Sequence, residues 1–313
     1  MANVTQHLLS GALSGFASGI CLQPFDLLKT RMQQGDGSAG RPKHGSRILY
    51  TTREVVRANG LTGLWRGTTA TLLRNVPGVA MYFTGLTQLR ALMATSPYFA
   101  AIQTSVRNSH GSTLPKLSSP GNLMAGAVAR VAVGFVLNPF TVLKARYESN
   151  LYNYQSLSGA LRTLVRGGPS ELLIGFWPSA LRDAPYAGLF VLFYEGIKHK
   201  TGKTIGSNSS VQAAGVHSFS AASAGAIATM VTHPFDVIKT KMQVRSEQRY
   251  HGILKTASTI WQQRGVSGFF DGASLRLSRK IMSSVIGWAV YEGLLIFMNT
   301  QSSRKKNSDA TPT

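Results

Sequence analysis

The stretch PFDLLKTR at residues 24–31 decides the fold, because it returns twice along the chain. It recurs as PFTVLKAR at residues 139–146 and as PFDVIKTK at residues 234–241. Self-similarity over a long, regular spacing is the signature of a repeat architecture. The chain is therefore predicted to consist of three copies of one unit, which we place at residues 1–115, 116–208 and 209–313.

A second motif follows each copy of the first. It reads GLTGLWRG at residues 60–67, GPSELLIG at residues 168–175 and GVSGFFDG at residues 265–272. An apolar stretch with the length of a membrane span precedes each first motif, and another apolar stretch follows each second motif. Each unit is therefore predicted to contain two transmembrane helices, which gives six in the whole chain.

The charge distribution indicates a membrane surface as the partner. The net charge is +21, yet only 14% of the 313 residues are charged, against about 25% in typical globular proteins. Lys and Arg number eight, four and six in residues 29–66, 144–174 and 239–264, but two each in residues 91–120 and 199–218. A nucleic-acid-binding protein would instead cluster them on one soluble face with aromatic residues. By the positive-inside rule the first three segments lie on one side of a membrane.

Catalytic and metal-binding functions find no support in the sequence. Cys21 is the only cysteine, and the seven histidines show no metal-ligand spacing. No nucleophile–base set and no phosphate-binding glycine loop on a strand–helix unit is present. We therefore expect no enzyme activity, no metal and no cofactor, and the arginine-free N-terminus predicts no cleavable transit peptide.

The three motif pairs in phase resemble the mitochondrial carrier family along nearly the whole chain. The family pattern is P-x-[DE]-x-x-[KR]-x-[KR], followed later by [DE]-G-x4-aromatic-[KR]-G. The resemblance implies an all-α membrane protein with six transmembrane helices in three pseudo-threefold repeats, each with a short matrix helix. It also implies a monomer in the mitochondrial inner membrane, with both termini toward the intermembrane space and cardiolipin bound at helix N-termini.

The resemblance assigns the charges of the first motif to a gate on the matrix side. An acid and a base three residues apart lie on one helix face, so three such helices around an axis can pair each acid with the next base. The family also places a glutamine beside each pair as a brace. The matching residues here are Asp26, Lys29, Gln33, Lys144, Asp236, Lys239 and Gln243.

This matrix gate is incomplete in its middle pair. The expected pairs are Asp26 with Lys144 and Asp236 with Lys29, whereas Thr141 replaces the acid that would face Lys239. Glu148 stands in the third brace position. Only two ion pairs are therefore expected.

A second gate, on the cytoplasmic side, is implied 19 residues beyond each closing glycine of the second motif. The family pattern there is aromatic-[DE]-x-x-[KR], and only the second repeat matches it fully. If each acid pairs with the base of the next repeat, only Glu292 and Arg90 can pair. The matching residues are Arg90, Tyr194, Glu195, Lys198, Tyr291 and Glu292.

The substrate site is predicted near the middle of the even-numbered spans. An arginine stands seven residues beyond each closing glycine, and charges at this depth are costly and usually functional. The adjacent Arg182 and Asp183 can meet the carboxylate and the ammonium of a zwitterion, or they can form a local ion pair between helices. The candidate substrate-binding residues are Arg74, Asn75, Arg130, Arg182, Asp183, Tyr186, Arg279 and Lys280.

Arg130 interrupts a stripe of small residues in the third span, where we expect it to be buried. It is expected either to contact the substrate carboxylate or to pair with Asp183.

Two stretches, RYESNLYNY at residues 146–154 and LRDAPYAG at residues 181–188, resemble the glycine-carrying branch of the family. That resemblance implies import of glycine into the matrix for 5-aminolevulinate and haem synthesis. A carrier for another amino acid or a small carboxylate is the first alternative. A basic nucleic-acid-binding protein is the second.

Overall fold

The structure, a computed structural model, describes residues 13, 15–35, 44–95, 119–152, 154, 156–205, 210–286, 289, 290 and 293. Within these residues all regular secondary structure is helical. Each repeat runs in the same order: a helix broken at the proline motif, a helix leading into the second motif, and a further helix after it.

The first repeat contains α1 (15–21), α2 (Gln23–Gln33), α3 (His44–Asn59) and α4 (Thr68–Ala94). The second contains α5 (Ser119–Val136), α6 (Asn138–Glu148), α7 (Leu157–Arg166), α8 (Pro169–Leu172) and α9 (Phe176–Ile205). The third contains α10 (Ser210–Val231), α11 (His233–Val244), α12 (Ile253–Gly268) and α13 (273–286). Short 3₁₀ turns lie at Leu61–Trp65 and Gln248–Tyr250.

The proline motif bends the first helix of every repeat. The helix breaks at Leu22, Leu137 and Thr232, each two residues before the proline, because proline lacks an N–H and its ring clashes with the preceding turn. The axes of residues 121–136 and 138–148 meet at 66°. By length and hydropathy that bent pair together meets the criterion for a membrane span, whereas no single described helix does so alone.

Many apolar side chains are exposed on the outside of the structure, and several charged side chains are buried inside it, which is the reverse of the distribution in a soluble protein. On the outer face of α4, Val76 is 64% exposed and Phe83 is 57% exposed, whereas Asp236 in the interior is only 1% exposed. Apolar contacts hold the bent helices at their ends, for example where Val237 of α11 packs with Ile260 of α12. Extensive exposed apolar surface is expected of a chain surrounded by lipid.

The closing glycine of each second motif links one repeat to the next. Gly67, Gly175 and Gly272 have φ values of +90°, +74° and +75°, a region that favours glycine. A Cβ atom on Gly67 would lie 3.2 Å from Glu148 Cγ, and one on Gly175 would lie 2.7 Å from Gln243 Cγ. The third contact, from Gly272, falls at 3.3 Å on Cγ of a first-repeat residue, Lys29. The contacts therefore form a closed cycle from repeat 1 to 2, 2 to 3 and 3 to 1.

Candidate functional site

Six positions of the first motifs surround one axis, and we call them the ion-pair ring: Asp26, Lys29, Thr141, Lys144, Asp236 and Lys239. Lys144 Nζ lies 2.5 Å from Asp26 Oδ2, and Lys29 Nζ lies 2.5 Å from Asp236 Oδ2. The structure thus brings together both pairs expected from the sequence. Each pair joins two different repeats.

The three predicted brace residues have different contact partners. Gln33 Nε2 donates to Asp236 Oδ2 at 3.3 Å, and Glu148 Oε1 lies 3.5 Å from Lys144 Nζ. Gln243 Nε2 donates instead to a main-chain carbonyl of the second repeat, at 3.3 Å. Two of the three brace positions therefore contact a charged member of the ring.

The third position of the ring has no ion pair. The Thr141 hydroxyl donates to the carbonyl of Leu137 in its own turn, at 3.1 Å. Lys239 is only 7% exposed, and it makes no hydrogen bond or ion pair within the described part of the chain. Within the described residues, the ring therefore contains one buried lysine that has no ion-pair partner.

The ring forms one end of a cavity of about 630 Å³. Within the described part of the chain, ten of the lining side chains are basic and four are acidic. The basic ones are Lys29, Arg74, Arg90, Arg130, Lys144, Arg182, Lys239, Arg276, Arg279 and Lys280, and the acidic ones are Asp26, Glu148, Asp183 and Asp236. This excess of positive charge suits a ligand that carries a carboxylate.

Two of the three arginines in register bond to acids of the ring. Arg182 Nη1 lies 2.8 Å from Asp236 Oδ1, and Arg279 pairs with Asp26. Arg182 also donates two hydrogen bonds to Asp183, of 2.7 Å and 2.9 Å. The sequence did not predict the contacts of Arg182 and Arg279 with the ring, which make the candidate substrate site and the ring a single network.

Three of the remaining predicted site residues line the cavity: Arg74, Tyr186 and Lys280. A fourth, Asn75, is not among the lining residues, but its Oδ1 accepts a hydrogen bond from Arg74 Nε at 3.1 Å. Lys280 Nζ lies 3.5 Å from the centre of the Tyr186 ring, a cation–π contact. A small ligand between α4, α9 and α13 would therefore lie within reach of these three lining residues.

The expectation that Arg130 is buried is wrong. Ala129 of α5 faces the neighbouring helix and is 4% exposed, whereas the next residue is turned about 100° around the helix. Arg130 is therefore exposed on the cavity wall, where its guanidinium lies 4.7 Å from the centre of the Tyr82 ring. Within the described residues it forms no ion pair with Asp183.

The predicted second gate is only partly described. Arg90 lines the cavity, Lys198 Nζ lies 5.9 Å from the centre of the Tyr194 ring, and Glu195 is exposed. Tyr291 and Glu292 lie outside the described residues. The pairing of Glu292 with Arg90 therefore stays a prediction.

Sequence reasoning missed the pairing of two charge-swapped residues in the second motif of the third repeat. Arg264 stands where the family has an acid and Asp271 where it has a base, and the two pair with each other. Arg47 of α3 adds a second guanidinium, 3.1 Å from Asp271 Oδ1. Opposite-sign substitutions at both ends of one motif were the signal that could have revealed this pair.

Arg276 was also missed. It takes the place of two hydroxyl residues, Thr71 and Ser179, which stand at the same distance beyond their closing glycines. Its Nη2 lies 3.3 Å from Thr232 Oγ1, and it lines the cavity close to the ring. The signal that could have revealed it was an arginine in the third repeat at the position where the other two repeats have a small hydroxyl residue.

We expect Asp271→Asn to lower the free energy of unfolding by about 3–5 kcal/mol, because two guanidinium groups would lose their buried carboxylate. Thermal unfolding of the purified protein in detergent measures the effect. Glu247→Gln is the control, since it breaks partly exposed ion pairs of the same repeat and should cost only about 0–1 kcal/mol. A loss for Asp271→Asn no larger than that of the control would contradict a structural role for this cluster.

Comparison with known proteins identifies the architecture. The family described as "Mitochondrial carrier protein" matches residues 1–97, 115–204 and 211–302. The chain belongs to the mitochondrial carrier family. The predicted all-α membrane fold with three repeats is thereby confirmed, as are the mitochondrial membrane and the prediction of a transporter rather than an enzyme.

Several relatives of this carrier have the same name. A protein of Laccaria bicolor named mitochondrial glycine transporter is 65% identical over 309 residues, which covers 96% of this chain and 100% of the relative. Proteins of the same name from Aspergillus niger and Mycosarcoma maydis are each 40% identical. They cover 97% and 91% of this chain, and 94% and 82% of their own lengths are matched.

Proposed function

We propose that this carrier imports glycine across the mitochondrial inner membrane into the matrix. The full-length similarity to proteins named mitochondrial glycine transporter supports this substrate. The observation that carries the proposal within the cavity is the position of Asp183. Among the four acids of the described lining, it is the one that no lysine of the ring contacts. It is therefore the acid available to an ammonium group.

The substrate would lie between the even-numbered helices, just above the ring. Asp183 would accept hydrogen bonds from the ammonium, and Arg182 keeps two N–H groups, beyond its three described bonds, for a carboxylate. A small amino acid would then compete with Asp236 and Asp26 for the arginines that hold them. The proposed binding residues are Arg74, Asn75, Arg130, Arg182, Asp183, Tyr186, Arg279 and Lys280.

This competition suggests how binding is coupled to movement. The arginines would turn toward the substrate, the ring would lose two of its contacts, and its lysine–aspartate pairs could then separate. We place this ring and its brace residues Gln33 and Gln243 at the matrix gate, and both termini in the intermembrane space. The opposite gate would close with Arg90, Tyr194, Glu195, Lys198, Tyr291 and Glu292.

Further parts of the proposal follow from family membership. We propose a monomer that binds cardiolipin at the N-termini of helices near the matrix surface. Glycine delivered to the matrix would serve 5-aminolevulinate and haem synthesis. Uptake of several labelled amino acids into liposomes containing the purified carrier distinguishes glycine from another amino acid or a small carboxylate.

The residue-level test is competition against glycine uptake by glycine, N-methylglycine and acetate. We expect Asp183→Asn to weaken recognition of both amino acids by about 2–4 kcal/mol, because their ammonium loses its partner. Acetate, which has no ammonium, should be affected much less. Asp183→Glu, which keeps the charge, is the matched control. An Asn variant that retains the wild-type preference for glycine over acetate would show that Asp183 is only a structural partner of Arg182.

A further inference from the structure

The two complete ion pairs of the ring show that a carboxylate is missing at its third position. In both, an aspartate oxygen lies 2.5 Å from the lysine ammonium of a neighbouring repeat. Repeat symmetry places Thr141 opposite Lys239 in the same relation, but the threonine is uncharged and its hydroxyl is bonded to its own helix. Thr141 and Lys239 both line the cavity. The position of the missing carboxylate is therefore open to a ligand.

A second cation with few contacts lies close to this gap. Arg74 uses one of its five N–H groups, on Asn75, and within the described residues the other four have no protein acceptor. It lies close enough to Lys239 for their charges to interact. By contrast, Arg182 and Arg279 already form ion pairs with the acids of the ring. Arg74 and Lys239 are therefore two cations beside the gap that are free to take an anion.

A carboxylate in the gap would also remove an energetic cost. A shielded ammonium without a counter-charge is unfavourable, since it has lost water without gaining a partner. Asp183 interacts electrostatically with Lys239, so an ammonium on Asp183 and a carboxylate on Lys239 would be near each other. That arrangement matches the two ends of one small zwitterion.

We propose that Lys239 and Arg74 bind the carboxylate of the transported amino acid in the gap that Thr141 leaves in the ring. This deepens the function proposed above and rests on it. The substrate itself supplies the third ion pair, so the ring is complete only when substrate is bound. Lys239 and Arg74 thus hold the carboxylate from the side of the ring, in addition to the two free N–H groups of Arg182, which also positions Asp183 for the ammonium.

The first experiment needs no transport. Thermal unfolding of the full-length protein in detergent is followed in sodium acetate and in sodium chloride at equal ionic strength. A ligand that binds the native state raises the unfolding temperature, so acetate should raise it more than chloride does. Thr141→Asp places a carboxylate in the gap and should abolish the acetate-specific rise, whereas Thr141→Asn matches its size without the charge and should not. Lys239→Gln should also abolish the rise, and Lys239→Arg should preserve it.

The second experiment measures glycine uptake into liposomes. The KM for glycine should be at least about tenfold higher in Thr141→Asp than in Thr141→Asn, because the new carboxylate occupies Lys239. Inhibition by methylammonium, which has no carboxylate, should be the same in both variants.

The outcomes separate the two proposals. The carboxylate site would be overturned if acetate raised the unfolding temperature of the two Thr141 variants equally. It would also be overturned if chloride raised the unfolding temperature of the wild type as much as acetate does. Equal KM values in the two variants would do the same. An acetate shift that depends on Thr141, together with no glycine uptake by the wild type, would support the site and remove glycine as its ligand.

Discussion

Asp236→Lys is expected to abolish transport, and adding Lys29→Asp is expected to restore part of it. Asp236 is 1% exposed and is held by Lys29 at 2.5 Å and by Arg182 at 2.8 Å. A lysine in its place would put three cations together, and breaking a buried pair of this kind costs about 3–5 kcal/mol. Uptake should therefore fall to about one hundredth of the wild-type rate or less.

The double variant should recover only partly, because the exchanged pair can form again but Arg182 still lacks its acid. Initial rates of glycine uptake into liposomes measure both effects, after correction for the amount of folded carrier. Glu247→Lys makes the same charge change at a partly exposed site of the same repeat, outside the cavity lining, and should transport nearly as the wild type does. A double variant as inactive as each single variant would remove the support for pairing as the cause.

Gly175→Ala is expected to destabilise the protein more than Gly67→Ala does. Both are closing glycines with positive φ, +74° and +90°, so alanine at either position costs about 1–2 kcal/mol of backbone strain. A new Cβ at Gly67 would come no closer than 3.2 Å to a neighbouring atom, Glu148 Cγ, whereas at Gly175 it would lie 2.7 Å from Gln243 Cγ. The closer overlap should add about 1–3 kcal/mol.

Thermal unfolding of the two variants in detergent measures the difference directly, since the two glycines occupy equivalent positions in their repeats and both have positive φ. Gly175→Ala combined with Gln243→Ala, which removes the clashing Cγ, should recover much of the additional loss. Equal unfolding temperatures for the two single variants would mean that Gln243 moves aside without cost.

The repeat made the fold predictable from the sequence. A proline, an acid and a base recur at fixed spacing, and their spacing on a helix determines which charges share a face. Asp26 and Lys144 could therefore be paired across 118 residues, and the structure places them 2.5 Å apart. The missing pair at Thr141 followed from the same comparison, because each repeat acts as a template for the other two.

Contacts that break the repeat pattern could not be predicted in the same way. Arg182 and Arg279 reach acids on other helices, and that reach depends on rotamers and helix separation, which no spacing rule supplies. Arg130 was misplaced because a stripe of small residues was taken to face a neighbouring helix along its whole width. The pair of Arg264 and Asp271 was missed because each substitution was considered separately.

The cycle of closing glycines has a consequence for how such a protein could arise. Each repeat carries one surface that contacts the following repeat and another that receives the preceding one, as Gly175 meets Gln243. This is a head-to-tail interface, and such an interface closes into a ring when its rotation divides the circle. Here three repeats complete the cycle, and the contacts that close it lie between helices rather than in the loops that join the repeats. Three unlinked copies of one ancestral repeat would already have had the surfaces to assemble as a cyclic trimer. Gene fusion would then have allowed each copy to diverge, as position 141 has done beside 26 and 236.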